Sequence, residues 1–354
     1  MVSDGRPDDQ PAQPLPSGHS SVSTGAGGSA SAGAAAEGSG DAFRPTGLPR
    51  ILVTGGRGQL GHALSGVADA PGRDGLDITD PASISAALDR FSPEVVLNAA
   101  AYTDVDGAEA DEAGARAINA VGAEALAAAC RDRGIRMVHI STDYVFSGEI
   151  PGGGDPATAP ALEPKDPTAP TTAYGRTKLA GERAVLASHP GATIIRTAWL
   201  YTGPHREFLG LSGSDFVATM VRLERQRDTL NVVDDQWGSP TYTQALAGGL
   251  LEMLAAEKAG RVDTRGLTLH AAGGGRATWW ELAREVFSWY GADPERVRPC
   301  SSDEFPRPAP RPAFSVLSDA SWQAAGLSPL PDWRADLARA IAEHARVARG
   351  GGDR

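Results

Sequence analysis

Hydrophobic and polar positions follow two rhythms between Arg50 and Tyr201. Short, nearly continuous apolar runs open "RILVTGGRGQLG" (50–61), "EVVLNAAAYTDVD" (94–106), "RMVHISTDYVF" (136–146) and "ATIIRTAWLY" (192–201). Runs of this kind fit strands buried on both faces of a parallel sheet. Between them, apolar residues recur at helical spacing. In "LDITDPASISAALDRF" (76–91), Ile84, Ala87, Leu88 and Phe91 share a face, Asp80 can cap the helix and Pro81 suits its first position. "HALSGVA" (62–68) starts a helix, "EAGARAINAVGAEALAAACRDRG" (112–134) reads as one long Ala-rich helix closed by Gly134, and "AYGRTKLAGERAVLASH" (173–189) reads as another. Strand and helix alternate without tight hairpin signals. The predicted class is α/β: a Rossmann-like doubly wound parallel sheet with helices on both faces.

After Tyr201 the alternation weakens. "FVATMVRLERQ" (216–226) is an amphipathic helix, and "TLNVVDDQWGSPTYTQALAGGLLEML" (229–254) gives a short strand, a turn and a helix. "TWWELAREVFSWYG" (278–291) is a clear helix, "EFPRPAPRPAFSVLSD" (304–319) a Pro- and Arg-rich loop, and a last helix falls near 332–349. The predicted organisation is a disordered tail over 1–48, a dinucleotide-binding core over 49–201, and a smaller, irregular substrate-binding part over 202–354. Segments near 230–258 of that last part return to the core. No internal repeat is present.

Composition narrows the function. The 354 residues carry 41% hydrophobic and 22% charged side chains, which suits a soluble globular protein. Net charge is -11, from 44 acids against 33 bases, so no nucleic acid and no anionic membrane surface is expected as a partner. No apolar run reaches the roughly 18–20 residues a bilayer span needs. The first forty residues are Gly, Ser, Ala and Pro with almost no large apolar side chain; they cannot offset ordering entropy, and they lack a signal peptide's basic start and apolar block. Two distant cysteines, Cys130 and Cys300, build neither a disulfide framework nor a metal site, so the predicted location is a reducing cytoplasm and no metal is expected. Cys130 reads as a small core residue.

Three motifs carry candidate chemistry. "GGRGQLG" places Gly55, Gly58 and Gly61 between a strand and a helix, where backbone N–H groups can meet a pyrophosphate. Asp77 in "LDITD" is the candidate ribose-binding acid at the end of the second strand, with an exposed turn carboxylate the competing reading. Arg57 could instead face a 2′-phosphate, which leaves NADH and NADPH both open. Tyr174 and Lys178 lie four apart and share a helix face. A phenol with a pKa of about 10 is a poor acid/base at neutral pH, and a nearby ammonium should lower it. Thr142, at the carboxyl end of its strand, can hydrogen-bond a carbonyl oxygen. Most isolated Y-x-x-x-K pairs are surface helix pairs; the glycine loop and the Ser-Thr strand give this one its meaning.

Taken together, the residues resemble the extended short-chain dehydrogenase/reductases, and within them the reductases of dTDP-linked 4-keto-6-deoxy sugars. The segments "VTGGRGQLG", "VVLNAAAYTDVDGAE", "STDYVFSG", "YGRTKLAGE", "IIRTAWLY", "FVATMVRL", "VVDDQWGSPTYT" and "RPAFSVLSD" carry the resemblance from Arg50 to the final helix. It implies that Gly58, Gln59 and Leu60 lie along the cofactor diphosphate, that Asp77 and Ile78 flank the adenine end, and that Ala101, Tyr102 and Thr103 line the cofactor further on. It implies that Thr142 and Asp143 meet the sugar, that Tyr174 donates the proton, and that Lys178 holds the nicotinamide ribose and tunes Tyr174. Trp199 is implied to pack on the substrate, although by itself it would more often be core. Arg311 is the weaker assignment, to the nucleotide diphosphate, since bidentate Arg suits that task. The implied reaction takes hydride from NADPH or NADH to C4 of dTDP-4-dehydro-β-L-rhamnose, giving dTDP-β-L-rhamnose, a cell-envelope sugar donor. A homodimer is a further expectation.

Two rivals and two departures accompany the resemblance. Dehydratases of the superfamily carry an acid after Thr-Asp; here Tyr144 stands there, against dehydration, and an epimerase would not consume its cofactor. A non-catalytic cofactor-binding subunit would tolerate loss of the triad, yet Thr142, Tyr174 and Lys178 are all present. The extra stretch "EIPGGGDPATAPALEP" (149–164) should lengthen a surface loop near the site without moving the triad. Asp215 stands where the group commonly has Asn, which an anionic ligand would disfavour.

Overall fold

The computed structural model describes residues 47–211 and 215–350. The expected tail, apart from its last two residues, lies outside the described residues. The main sheet holds β1 (Ile51–Thr54), β2 (Val95–Asn98), β3 (Arg136–Thr142), β4 (Thr193–Thr197) and the strand Thr268–His270, side by side in that order. Every pairing is parallel. On the outer side of β1 the chain adds a single bridge at Asp69, whose amide and carbonyl bond Ile51 and Val53. The chain therefore leaves β1 first to one side and later to the other. Such a switch point opens a crevice at the carboxyl ends of the strands, and this positions the site.

Residues alternate across each strand, so the two sheet faces collect different partners. Ile51, Val53, Leu97 and Val138 pack with Leu246, Leu250, Met253 and Leu254 of the helix Thr243–Lys258. Leu52, Val96, Met137 and Ile194 pack with Ile84, Leu88, Leu126 and Val185 from helices on the opposite face. Each fully buried aliphatic side chain contributes about 1.5–3 kcal/mol, which makes these two layers the main stabilising term. A separate parallel pair, Leu230–Val233 with Val297–Cys300, carries the helix Trp279–Trp289 in the C-terminal part. Cys130 is fully buried, and burial pushes its thiol up to about 12.

Four local expectations are corrected. The helix after the glycine loop, Gln59–Leu64, begins directly behind Gly58 rather than at His62. The Ala-rich helix is interrupted: Glu112–Arg116 and Ala123–Asp132 flank a π-helical stretch, Ala117–Gly122. "ATIIRTAWLY" is not one strand, because β4 ends at Thr197 and Trp199 turns the chain with φ 45°. Leu200–Tyr201 then pairs with Thr241–Tyr242. The inserted stretch 149–164 is more than surface loop: Ala159 and Leu162 are buried against Phe314, Val316 and Leu317. Backbone bonds between Leu162 and both Val316 and Ser318 fix it to the C-terminal part.

Candidate active site

The carboxyl ends of β1 to β4 open into a cavity of about 1260 Å³. Its floor is the glycine loop: Gly55, Gly58, Gln59, Leu60 and Gly61 all line it. A Cβ at Gly61 would fall 2.5 Å from the Gly55 carbonyl oxygen, so only glycine lets the helix start this close to the strand. The Gln59 side chain is taken by protein, accepting from Thr202 Oγ1 at 2.7 Å, which leaves its backbone for a ligand.

At one end lie Asp77, Ile78, Arg57 and Arg73. The second strand has shrunk to the Asp69 bridge, so Asp77 stands not at a strand end but in the turn before the helix Pro81–Phe91. Thr79 Oγ1 (2.7 Å), Thr79 N (2.9 Å) and Arg73 Nε (2.8 Å) all donate to Asp77, and the Thr79 bonds first, then Arg73, hold its carboxyl down at about 2. Arg57 pairs with Asp74. Beyond β2, Ala101 and Thr103 reach the wall, whereas Tyr102 turns away and packs with Ala108 and Tyr174.

Thr142 closes β3, opposite Thr197 of β4. The helix Ala173–Ser188 runs past this edge and carries Tyr174 and Lys178 on the face that meets it. Its start is fixed by Thr172, whose hydroxyl accepts the Gly175 N–H at 3.0 Å, and by Glu109, which accepts the Ala173 N–H at 2.8 Å. Lys178 is 2% exposed and donates from Nζ to the Ile140 carbonyl at 2.7 Å. Burial lowers it to about 8, opposed by the Glu182 carboxylate one turn on. Glu182 is itself buried in a bidentate pair with Arg196 of β4, at 2.9 and 2.8 Å.

One electrostatic expectation is corrected. In this structure the Lys178 ammonium does not outweigh burial at Tyr174. Burial pushes the phenol up to about 12, with the Thr142 hydroxyl pulling the other way and Asp143 adding to the rise. At neutral pH Tyr174 is a neutral phenol, the form that can give up a proton. Asp143 is 3% exposed, accepts from Thr142 Oγ1 at 2.9 Å, and is raised by burial to about 6.

The far wall comes from the C-terminal part. Trp199 stacks on Trp279 with centroids 3.6 Å apart and planes 5° apart, and Phe216 packs on Trp279 at 4.5 Å. Arg311 lines the cavity too, but its guanidinium is engaged by Asp106 at 2.7 Å. Asp215 does not present a bare acid to a ligand: it caps the helix Phe216–Glu224, accepts the N–H groups of Thr202 and Gly203, and pairs with Arg206.

Sequence reasoning missed two contributors. Asn119, in the π-helical stretch, is 1% exposed and holds both backbone groups of Tyr102 and the Thr177 hydroxyl. A lone amide on the buried face of an Ala-rich helix was its only signal. Trp279 had none, because the pattern around it is that of an ordinary amphipathic helix. Among the described residues no group of three or more His, Cys, Asp or Glu is placed to hold a metal ion, and no helix is long and apolar enough to cross a membrane.

A glycine-floored crevice beside a Thr, Tyr and Lys cluster defines the short-chain dehydrogenase/reductase class. Residues 49–346 match the family model described as RmlD substrate binding domain, and the chain belongs to that family. It is 50% identical over 300 residues to the dTDP-4-dehydrorhamnose reductase of Mycobacterium tuberculosis, covering 83% of this chain and 92% of that protein. It is 44% identical over 300 residues to the dTDP-4-keto-6-deoxy-D-glucose reductase of Streptomyces niveus, covering 82% and 96%. Among solved structures it is similar to the dTDP-4-dehydrorhamnose reductase of Bacillus anthracis in complex with NADP, at a TM-score of 0.72 and 33% identity, covering 84% of this chain and 99% of that one.

Proposed function

We propose that this protein reduces the C4 ketone of dTDP-4-dehydro-β-L-rhamnose to dTDP-β-L-rhamnose with NADPH or NADH. The observation that carries the reading is the meeting of the glycine loop, Thr142, Tyr174 and Lys178 in one cavity. When bound, the reduced nicotinamide supplies the hydride. The backbone of Gly58, Gln59 and Leu60 holds the diphosphate, Asp77 and Ile78 flank the adenosine, and Lys178 binds the ribose beside Tyr174. Thr142 exchanges its present acceptor, Asp143, for the ketone oxygen and so orients the carbonyl. Tyr174, neutral because it is buried, then passes its proton to the alkoxide oxygen. The ammonium of Lys178 steadies the phenolate left behind.

In this reading residues 49–201 serve the cofactor and residues 202–354 mainly the sugar nucleotide, with segments near 230–258, and also the strand Thr268–His270, returning to the core. Free, buried Cys130 and Cys300 fit a reducing cytoplasm. A homodimer is part of the proposal, and light scattering tests it. The deciding assay follows loss of reduced-nicotinamide absorbance with dTDP-4-dehydrorhamnose, in parallel with dTDP-4-keto-6-deoxy-D-glucose. Turnover of the first sugar with stoichiometric NADPH consumption supports the reading. Absence of consumption with either sugar overturns it, and faster turnover of the second moves the substrate assignment.

A further inference from the structure

Trp199 occupies an unusual position. It is a bulky residue with φ 45°, in the left-handed region that such side chains rarely enter. Its ring lies in the cavity wall, together with Trp279 and within the same cavity as Thr142 and Tyr174. One face of the indole is covered by Trp279, parallel within 5° at a centroid distance of 3.6 Å. The other face is pressed on backbone: a Cβ on Gly238 would fall 2.2 Å from Cε2 and 2.5 Å from both Nε1 and Cζ2 of Trp199. Because Cε2 is nearer than either of its two flanking ring atoms, the missing Cβ lies above the ring plane, not beyond its edge. Trp279 is in turn fixed from behind, with its indole N–H donating to Gln236 at 3.2 Å and Phe216 against its ring. The Trp199 N–H, by contrast, makes no hydrogen bond with the described residues, and its ring is only half-buried.

We infer that Gly238 and Trp279 form a clamp that holds the Trp199 indole at one fixed angle in the wall, so that its edge, not its face, meets the sugar of the nucleotide substrate. Trp279 is then a positioning residue: it acts on the substrate through Trp199. Both faces of Trp199 are occupied, so it cannot stack on a sugar ring or a base. An edge offers a C–H rim and one N–H donor, which suits the hydroxyl-bearing rim of a pyranose. The left-handed backbone at Trp199 and the bare Gly238 are the local conditions that let the ring enter the slot. This inference rests on the proposed reductase reading, and it names the part of the site that sets sugar affinity.

The test is a variant series assayed with NADPH and dTDP-4-dehydrorhamnose. Trp279→Leu removes the stacking partner, and KM for the sugar nucleotide is expected to rise about tenfold, as for the loss of about 1.4 kcal/mol of uniform binding. KM for NADPH and kcat should stay within about twofold, because the displaced ring binds without taking part in proton transfer. Gly238→Ala attacks the clamp from the other face and should raise the same constant. Trp279→Phe keeps a flat partner and should restore most of the affinity. The far-ultraviolet exciton signal of two stacked indoles should disappear in Trp279→Leu and Trp279→Phe alike, which separates loss of the pair from loss of the clamp. Unfolding curves and NADPH titration confirm that each variant is folded. Wild-type KM for the sugar nucleotide in folded Trp279→Leu overturns the inference, as does an equal loss for both substrates. Wild-type protein that fails to oxidise NADPH with this sugar overturns the reductase reading instead.

Discussion

Tyr174 and Lys178 titrate in the opposite order from free side chains, and this sets the expected pH response. Burial raises Tyr174 to about 12, so the phenol stays protonated throughout the working range. Burial lowers Lys178 to about 8, so it is the group that changes charge there. The proposed mechanism needs a protonated Lys178 beside the departing proton of Tyr174. Reductive kcat should therefore be flat at neutral pH and fall as pH rises through about 8, while a plateau extending well above that value would remove Lys178 from the role. Tyr174→Phe takes away the acid alone, and kcat is expected to drop about 10²–10⁴-fold while NADPH still binds. An NADPH titration beside the rate measurement separates the two effects. Asp143, raised to about 6 by burial, lies behind Thr142. Its charging as pH rises strengthens the acceptor that competes for the Thr142 hydroxyl, so the acid side of the profile reports on that exchange.

Elements position those residues through a few buried polar contacts. Glu182 and Arg196 join the catalytic helix to β4, each with a side chain 5% exposed. Removing one partner strands a buried charge, so Glu182→Ala should cost about 3–5 kcal/mol in urea unfolding. Glu182→Gln with Arg196→Met leaves no charge behind and should cost much less; equal losses would mean that the pair carries no such penalty. The same helix presses Gly181 against the π-helical stretch, where a Cβ would lie 2.0 Å from the Asn119 carbonyl oxygen. Gly181→Ala must push those elements apart, at about 1–3 kcal/mol. Here the limits of sequence reading have physical causes. The Tyr174 and Lys178 pairing follows from i, i+4 spacing, and the glycine floor from strand, loop and helix order. The π-helical stretch is invisible, because the Ala-rich run around it has too few large apolar residues to mark the phase shift that i+5 bonding introduces. The break after β4 is equally hidden, since "TAWLY" has good strand propensity and only the slot between Gly238 and Trp279 draws Trp199 into its turn. Electrostatics failed for a third reason. Sequence shows which charges are near, but the depth of burial, which decides the direction for Tyr174, belongs to the tertiary structure.

Across the whole molecule, the helix Val105–Ala110 that follows β2 and the loop 305–312 both contribute to the cavity wall, and Asp106 joins them. Asp106, in the helix Val105–Ala110, accepts from Arg311 Nη2 at 2.7 Å and from the Ala309 N–H at 3.2 Å, with Arg307 4.0 Å away. Burial alone would raise the Asp106 carboxyl, yet Arg311, Ala309 and Arg307 outweigh it and keep it ionised. Arg311 is tied to Asp106 in this structure, and a role as diphosphate ligand would share the guanidinium with that carboxylate or release it. The two roles predict different outcomes for Asp106→Asn, which keeps an acceptor for Ala309 but gives up the charge. If Arg311 serves as a latch, the loop loosens and KM for the sugar nucleotide rises; the pair is largely buried, with side chains 12% and 27% exposed, so losing the charge also strands the guanidinium and should lower thermal stability. If Arg311 is a diphosphate ligand held in reserve, freeing it from Asp106 lowers KM instead. The sign of the KM change thus decides whether the C-terminal part grips the nucleotide directly or closes over it from the Rossmann side.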